Sequence, residues 1–294
     1  MILHATDHGT GAPILLLHGL YGAGQNLGMI ARALPDYRVI ALDARNHGAS
    51  AHAPDMGYDT LARDVLETMD ALNLGTASLI GHSMGGKTAM MVALLAPKRV
   101  RALAVLDIAP VIYDHAETRA ELIDAMAALT LAPGLTRQQA DANLAGAIQD
   151  AALRRFLLNN LRISHADIPS WRLDLAAIRA ALPLLTGWVD PEPLVPYTGP
   201  SLFLRGAHSA YVPLGGPADA KPDARPDARP DATIDAMGAI HARFPSAAIE
   251  TIAQAGHWLH AEQPDAVNQA LHRFLASAAY PPALHTLVPN PRRD

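Results

Sequence analysis

Short apolar runs alternate with longer stretches of helical periodicity through the first third of the chain. The apolar runs predict strands at 14–17, 38–42, 77–80 and 102–106. Between these strands, apolar residues recur with the period of an α-helix over 27–34, 60–72 and 87–95. The strand runs are continuously apolar, which is typical of strands that are covered on both faces. The pattern therefore predicts a parallel sheet with helices on both sides.

The periodicity changes in the middle of the chain. From about His115 to Leu185 it is helical, and no strand is predicted there. Strand patterns then return at 201–204 and 249–252, and a final helix is predicted at 264–276. A helical insertion between two strands of a sheet indicates a lid over an active site.

These patterns divide the chain into an interrupted core and its insertions. We expect an α/β core, a mostly parallel and doubly wound sheet, in residues 1–110 and 201–280, with a helical lid at 111–200. A Pro-Asp repeat at 215–233 predicts a mobile loop, because recurrent proline blocks helices and strand ladders. Residues 281–294 are expected to form a C-terminal tail.

Composition and charge exclude several classes of protein. Hydrophobic residues make up 50% of the chain and charged residues 17%, as in globular proteins. The net charge of −5 disfavours nucleic acid as a partner, since phosphate neutralisation dominates such binding. The absence of cysteine excludes disulfides, thiolate zinc sites and cysteine nucleophiles. The N-terminal residues lack a signal-peptide pattern and no apolar run reaches the ~18 residues of a membrane span, so we expect a cytoplasmic protein.

The most specific chemical motif is the pentapeptide Gly81-His82-Ser83-Met84-Gly85, between a predicted strand and a predicted helix. The pattern G-x-S-x-G in this context is typical of a nucleophile elbow, where serine occupies a sharp turn with its hydroxyl above the sheet. The start of the following helix supplies N–H donors for developing negative charge. Ser83 is therefore the candidate nucleophile, and the backbone N–H of Met84 is a candidate oxyanion donor.

The same segment also fits a different class of enzyme. Residues 81–88, GHSMGGKT, match the phosphate-binding pattern G-x-x-x-x-G-K-[ST]. In a nucleotidase, Lys87 would contact phosphates, while Thr88 and Asp107 would hold magnesium. That hypothesis leaves the other histidine-glycine motifs unexplained, whereas a serine hydrolase uses them. The hydrolase is favoured, and Lys87 is then expected to be an ordinary helical residue.

Two further motifs supply partners for a serine nucleophile. The turn His18-Gly19-Leu20-Tyr21-Gly22 follows the first apolar strand, where the backbone N–H of Leu20 can donate to an oxyanion. His257 follows the last predicted strand and is the candidate base, since nucleophile first and histidine last is the chain order of α/β-hydrolases. His82 is expected to pack, and the turn around His47 to be structural. No metal ion or cofactor is expected, because zinc-site motifs are missing.

The acid is expected at an unusual position. α/β-Hydrolases usually place it after the strand that follows the lid, but residues 205–210 contain no carboxylate, and Asp219 begins the repeat. Asp107 ends the strand after the elbow helix, at the sheet edge where the other candidate loops gather. We therefore expect Asp107 to orient His257. The alternative is that Asp107 caps the turn into Pro110.

Six segments together resemble a known superfamily: HGLYGAGQNLG, DARNHGAS, GHSMGGK, LDIAP, RGAHSAYV and AGHWLHAEQPDAV. They resemble the α/β-hydrolases and, more narrowly, the YbfF-type bacterial esterases, from about Pro13 to Phe274 outside the repeat. The resemblance implies cleavage of small carboxylic esters or thioesters through an acyl-enzyme on Ser83, with His257 and an acid, for which LDIAP points to Asp107. It implies no cofactor and no obligate protein partner. Sites of this kind also support C–C bond hydrolysis and perhydrolysis, so these reactions remain alternatives.

Overall fold

A seven-stranded sheet forms the centre of the molecule in a computed structural model, which describes residues 1–113, 116–163, 168–214 and 235–279. Its strands are, in chain order, β1 (Ala5–His8), β2 (Pro13–Leu17), β3 (Arg38–Leu42), β4 (Ala77–His82), β5 (Val100–Leu106), β8 (Ser201–Gly206) and β9 (Ala247–Ile252), while β6 (Leu161–Arg162) and β7 (Ser170–Trp171) form a separate pair. The order across the sheet is β1-β3-β2-β4-β5-β8-β9. All neighbours are parallel except β1 and β3. The predicted α/β fold with a mostly parallel sheet is confirmed.

Helices connect the strands and cover the sheet. They are α1 (Gly28–Ala33), α2 (Tyr58–Ala71), α3 (Met84–Leu95), α4 (Ala116–Ala127), α5 (Arg137–Leu144), α6 (Ala151–Leu158), α7 (Leu175–Thr186), α8 (Ala236–Arg243), α9 (Leu259–Glu262) and α10 (Pro264–Ala279). Short 3-10 helices lie at Gly24–Leu27 and Pro97–Arg99. Among the described residues, no helix combines the length and the apolar character that a membrane crossing requires.

The apolar strands are buried on both faces, as the continuous runs predict. Alternate residues of β2 belong to different clusters: Ile14 and Leu16 pack with α1 and α10, whereas Leu15 and Leu17 pack with α2 and α3. Helix α3 is buried on nearly its whole circumference. Burial of this extent fits its lack of an amphipathic pattern.

An inserted segment lies between β5 and β8 and contains α4 to α7 with the β6–β7 pair. The predicted helices are present, but the expectation of no strand in this segment is wrong. Leu161 pairs with Trp171, and Arg162 pairs with Ser170. Two residues a strand are too few to give the alternating pattern by which strands are predicted. Whether the segment acts as a lid stays a prediction.

Strand β1 was not predicted, because its sequence ATDH is mostly polar and lies at the exposed edge of the sheet. Helix α8, which is only eight residues long, was also not predicted. The predicted repeat loop at 215–233 and the tail at 281–294 lie outside the described residues.

Candidate active site

The turn between β4 and α3 places Ser83 in an uncommon backbone conformation, with φ +52° and ψ −118°. Two glycines are required by the packing around this turn. A Cβ at Gly81 would lie 2.2 Å from the carbonyl oxygen of Gly85, and a Cβ at Gly85 would lie 2.1 Å from that of Leu17. Positive φ at a non-glycine residue is costly and clusters at functional sites. The elbow predicted from G-x-S-x-G is therefore present.

The structure brings Ser83, His257 and Asp107 into one hydrogen-bonded chain. The His257 Nε2 atom lies 3.0 Å from the Ser83 Oγ, and its Nδ1 lies 2.8 Å from the Asp107 Oδ2. A carboxylate only accepts hydrogen bonds, so the proton of a neutral His257 lies on Nδ1. The Nε2 atom is then free to accept the hydroxyl proton of Ser83. The arrangement suits general-base activation of a serine hydroxyl.

Asp107 is fully buried and receives donors on both carboxylate oxygens. Its Oδ1 accepts the N–H of Gly206 at 2.9 Å, and its Oδ2 accepts the hydroxyl of Ser209. Asp107 also has a positive φ of +53°, and its N–H donates to Leu204 at 2.8 Å. The carboxylate is thus directed towards His257 and the loop after β8, away from the turn into Pro110.

The role of the loop after β8 was not predicted from the sequence. Residues 205–210 lack a carboxylate, but Gly206 and Ser209 donate hydrogen bonds to Asp107 on the neighbouring strand. Tyr211, from the same loop, stacks on the imidazole of His257 with ring centres 3.9 Å apart. All three residues belong to the segment RGAHSAYV, and the resemblance of this segment to the esterases is the signal that could have indicated them.

Two buried histidines support the loop that carries His257. The His82 ring lies 4.9 Å from the His257 ring and 4.5 Å from the His260 ring, and its Nε2 contacts the His257 carbonyl oxygen at 2.9 Å. Burial lowers the pKa of His82 well below the ordinary value, and burial together with the charge of His257 lowers the pKa of His260 to about 4. Both are therefore neutral near pH 7, and His82 packs as predicted.

The turn that carries Leu20 lies directly against the elbow. The Gly22 N–H donates to the Gly19 carbonyl at 2.9 Å, and a Cβ at Gly19 would lie 3.3 Å from the Cβ of Ser83. Leu20, Ser83 and Met84 line a common small cavity. Met84 is the first residue of α3, so its N–H has no acceptor within the helix. Leu20 and Met84 remain the predicted oxyanion donors.

The segment DARNHG supports that turn from behind, as a structural turn should. Asp43 accepts the N–H groups of Gly24 at 2.7 Å and Ala49 at 2.9 Å. The Nε2 of His47 accepts the N–H of Tyr21 at 3.2 Å. These bonds fix the backbone next to Leu20.

The structure corrects the expectation that Lys87 is an ordinary helical residue. Its side chain is buried, and its Nζ donates to the carbonyls of Val111 and Gly187, both at 2.7 Å, and more weakly to that of Thr186. Thr88 donates its hydroxyl to the Met84 carbonyl. Both side chains therefore bind this chain's own backbone, which disfavours the phosphate-binding hypothesis.

A cavity of about 470 Å³ opens above Ser83. One wall comes from the core, including Leu20 and Trp258, and the other from the inserted segment, including Leu153 and Phe156. Phe156 and Trp258, one from each wall, pack near each other with their ring centres 5.7 Å apart. A cavity of this size has room for a small organic molecule next to Ser83.

Comparison with known proteins gives concordant matches. Residues 12–162 match the family model of the alpha/beta hydrolase fold. The chain is 37% identical over 272 residues to the esterase YbfF of Escherichia coli, covering 92% of this chain and 96% of that protein. It is 36% identical over 270 residues to the sn-1-specific diacylglycerol lipase ABHD11 of Mus musculus, covering 90% and 80%. A solved marine microorganism esterase superposes with a TM-score of 0.82 at 34% identity, covering 93% of this chain and 99% of that one.

Proposed function

The chain belongs to the α/β-hydrolase family, and from that premise we propose that it hydrolyses carboxylic esters or thioesters through an acyl-enzyme on Ser83. Its relatives include named esterases and lipases, so it is an ester-hydrolysing enzyme. The observation that supports an acyl-enzyme on Ser83 is the chain of hydrogen-bond contacts from Ser83 Oγ through His257 to Asp107 at the base of the cavity.

The first half of the reaction acylates the serine. The Ser83 Oγ attacks the carbonyl carbon of the ester while the Nε2 of His257 takes the hydroxyl proton. The negative charge that develops on the carbonyl oxygen is stabilised by the backbone N–H groups of Leu20 and Met84. When the intermediate collapses, the bond to the alcohol or thiol breaks and His257 gives its proton to the leaving group.

The second half returns the enzyme to its starting state. Water enters the cavity, and His257 takes its proton as the oxygen attacks the acyl carbon. The same donors hold the second oxyanion, and collapse releases the acid while the proton returns to Ser83. Throughout, Asp107 holds the Nδ1 proton of His257 and stabilises the imidazolium. No metal or cofactor takes part in these steps.

C–C bond hydrolysis and perhydrolysis are the alternative reactions for the same triad. The first breaks a carbon–carbon bond next to a carbonyl group, and the second transfers the acyl group to hydrogen peroxide instead of water; no described contact in the cavity selects for either. The esterase of Escherichia coli and the diacylglycerol lipase of Mus musculus, which each match at least 90% of the chain, are named for ester cleavage, which favours the ester reaction.

The test is ester turnover by Ser83→Ala on p-nitrophenyl esters from acetate to palmitate. We expect kcat to fall by about 10⁴-fold or more, because the nucleophile is lost. Ser277→Ala is the matched control, since Ser277 is exposed on α10 and bonds only its own helix. Turnover that survives Ser83→Ala at the level of the control contradicts the proposal.

A further inference from the structure

Asn160 donates a hydrogen bond from the inserted segment to the core, beside the candidate site. The residue lies between α6 and β6 and is buried, with 4% of its surface exposed. Its Nδ2 donates to the Tyr21 carbonyl at 2.7 Å and to the Leu157 carbonyl at 3.1 Å. Its backbone N–H donates to the Leu157 carbonyl at 3.0 Å, and its carbonyl accepts the N–H of Arg172 at 2.8 Å. The inserted segment therefore holds this amide in place and directs it at the core.

The acceptor, Tyr21, belongs to the turn that carries Leu20. Its backbone lies in the left-handed region with φ +62°, a conformation that is costly for a residue with a side chain and persists only where the surroundings hold it. Its N–H donates to the Nε2 of His47, its hydroxyl donates to the Arg119 carbonyl at 3.0 Å, and its carbonyl accepts from Asn160. Two of these three partners belong to the inserted segment, so that segment stabilises the conformation of the turn.

The hydrogen bond from Asn160 begins a continuous chain that ends at the predicted oxyanion donor. The peptide groups of this turn are trans and planar, so the Tyr21 carbonyl and the Gly22 N–H move together. The Gly22 N–H donates to the Gly19 carbonyl at 2.9 Å, and that carbonyl shares its peptide group with the N–H of Leu20. The two peptide dipoles therefore point the same way, and hydrogen bonds in such a chain strengthen one another. The amide of Asn160 at one end thus orients and polarises the N–H of Leu20 at the other.

His18 provides a second donor to the same turn. The N–H of Ala44 donates to its Nε2 at 3.0 Å, so the ring proton lies on Nδ1, which donates to the Gly19 carbonyl at 2.8 Å. This bond still holds the last peptide group of the chain when the first link is lost. Removal of the Asn160 amide is therefore expected to weaken the oxyanion donor without abolishing it.

We propose that Asn160 is a positioning residue for the oxyanion turn, through which the inserted segment aligns the N–H of Leu20 with the negative charge that develops on the substrate. The inference rests on the proposed acyl transfer to Ser83. Asn160 is not among the described residues that line the cavity. Its removal should therefore weaken stabilisation of the transition state while substrate binding in the ground state is kept.

The test compares Asn160→Ala and Asn160→Leu with the wild type, using p-nitrophenyl butanoate as substrate and octyl trifluoromethyl ketone as inhibitor. The Ser83 Oγ adds to the carbonyl carbon of this ketone and gives its proton to His257, and the resulting hemiketal oxyanion needs the same donors as the reaction. Alanine removes the amide, whereas leucine removes its donors and keeps its branched shape. We expect kcat to fall and the Ki of the ketone to rise by about tenfold each, with KM changed by less than about twofold; loss of a direct oxyanion donor costs ~10²- to 10³-fold.

Asn159→Ala is the matched control, because Asn159 is the neighbouring asparagine and is exposed; it keeps the wild-type kcat, KM and Ki. The kcat is taken per active site after titration with a fluorophosphonate, and neither KM nor Ki depends on the folded fraction, so a destabilised variant is still informative. Unchanged kcat and Ki in both Asn160 variants overturn the inference, as does a KM that rises as much as Ki, which would indicate a role in substrate binding. Wild-type enzyme that neither hydrolyses the ester nor binds the ketone overturns the proposed function as well.

Discussion

Asp107 shows how one residue's surroundings can define its role. Its carboxylate is buried between the N–H of Gly206, the hydroxyl of Ser209 and the Nδ1 of His257. These donors orient the Asp107 carboxylate towards His257, which in turn contacts Ser83. The acid and its contact with His257 were predicted, by elimination and by the resemblance. The donors Gly206 and Ser209 were not predicted, because they lie on a loop 99 residues or more away along the chain.

We predict that Asp107→Asn lowers kcat by about 10³ to 10⁴ while the fold is retained. The amide can donate a hydrogen bond, which favours the tautomer of His257 that protonates Nε2 and cannot accept the serine proton. The measurement is kcat with a p-nitrophenyl ester, together with the melting temperature. Asp219→Asn, in the repeat, is the comparison and is expected to be near neutral; the reverse ranking of the two variants would place the acid elsewhere.

Lys87 is the residue whose role the sequence predicts least well. The phosphate-binding pattern and the elbow share its segment, and neither indicates a buried ammonium bound to backbone carbonyls. Those carbonyls, Val111 and Gly187, come from the two ends of the inserted segment, and Tyr58 and Tyr113 place their rings 5.5 and 4.7 Å from the Nζ. Burial lowers the pKa of Lys87 to about 7 from an ordinary value of 10.5.

Lys87→Met should lower the free energy of unfolding by about 1–3 kcal/mol, because buried carbonyls lose their donor. The pH dependence has a defined sign. Between pH 7 and 10.5 the unfolded state binds more protons at this residue than the folded state, so wild-type stability rises relative to Lys87→Met as the pH increases. Urea unfolding at pH 7 and pH 9 measures both effects, with the exposed Lys98→Met as control. A gap between wild type and Lys87→Met that narrows at pH 9 contradicts this account.

At the scale of elements, the strands and helices around the elbow were predicted within a few residues. The continuous apolar runs of β2, β3, β4 and β5 and the helical periods of α2 and α3 were sufficient, because each element buries a face or its whole circumference. The elements that were missed, β1, β6, β7, α8 and α9, are short or polar and depend on tertiary contacts. The tight turn between β4 and α3 was predicted from its glycines.

We predict that Gly85→Ala destabilises the protein by about 2 kcal/mol or more, because its Cβ would overlap the carbonyl group of Leu17 on the neighbouring strand. The turn cannot relax without moving β2 or Ser83. Gly75→Ala is the matched control: nothing lies within 4 Å of a Cβ there, so we expect a change of less than about 0.5 kcal/mol. Chemical denaturation of the two variants side by side measures the difference, and equal stabilities would show that the turn tolerates a Cβ.

At the scale of the whole molecule, the candidate site exists because parallel strands end at one edge of the sheet. The segments at the ends of β2, β4, β5, β8 and β9 contribute the proposed oxyanion turn, the proposed nucleophile, the proposed acid, the donors that bind this acid and the proposed base. Sequence order and strand patterns predict this convergence, since ligands of open α/β sheets bind at the carboxyl ends of the strands. The cavity wall from the inserted segment, with Phe156 on it, depends on long-range packing that no local pattern encodes.

The proposed reaction requires a covalent acyl group on Ser83 during ester turnover. Acid quenching of the enzyme within the first turnovers of a p-nitrophenyl ester, followed by peptide mass mapping, tests it directly. We expect a burst of p-nitrophenol and an added acyl mass on the peptide that contains Ser83, with neither in Ser83→Ala. Turnover without an acyl adduct, or an adduct on another residue, would contradict it.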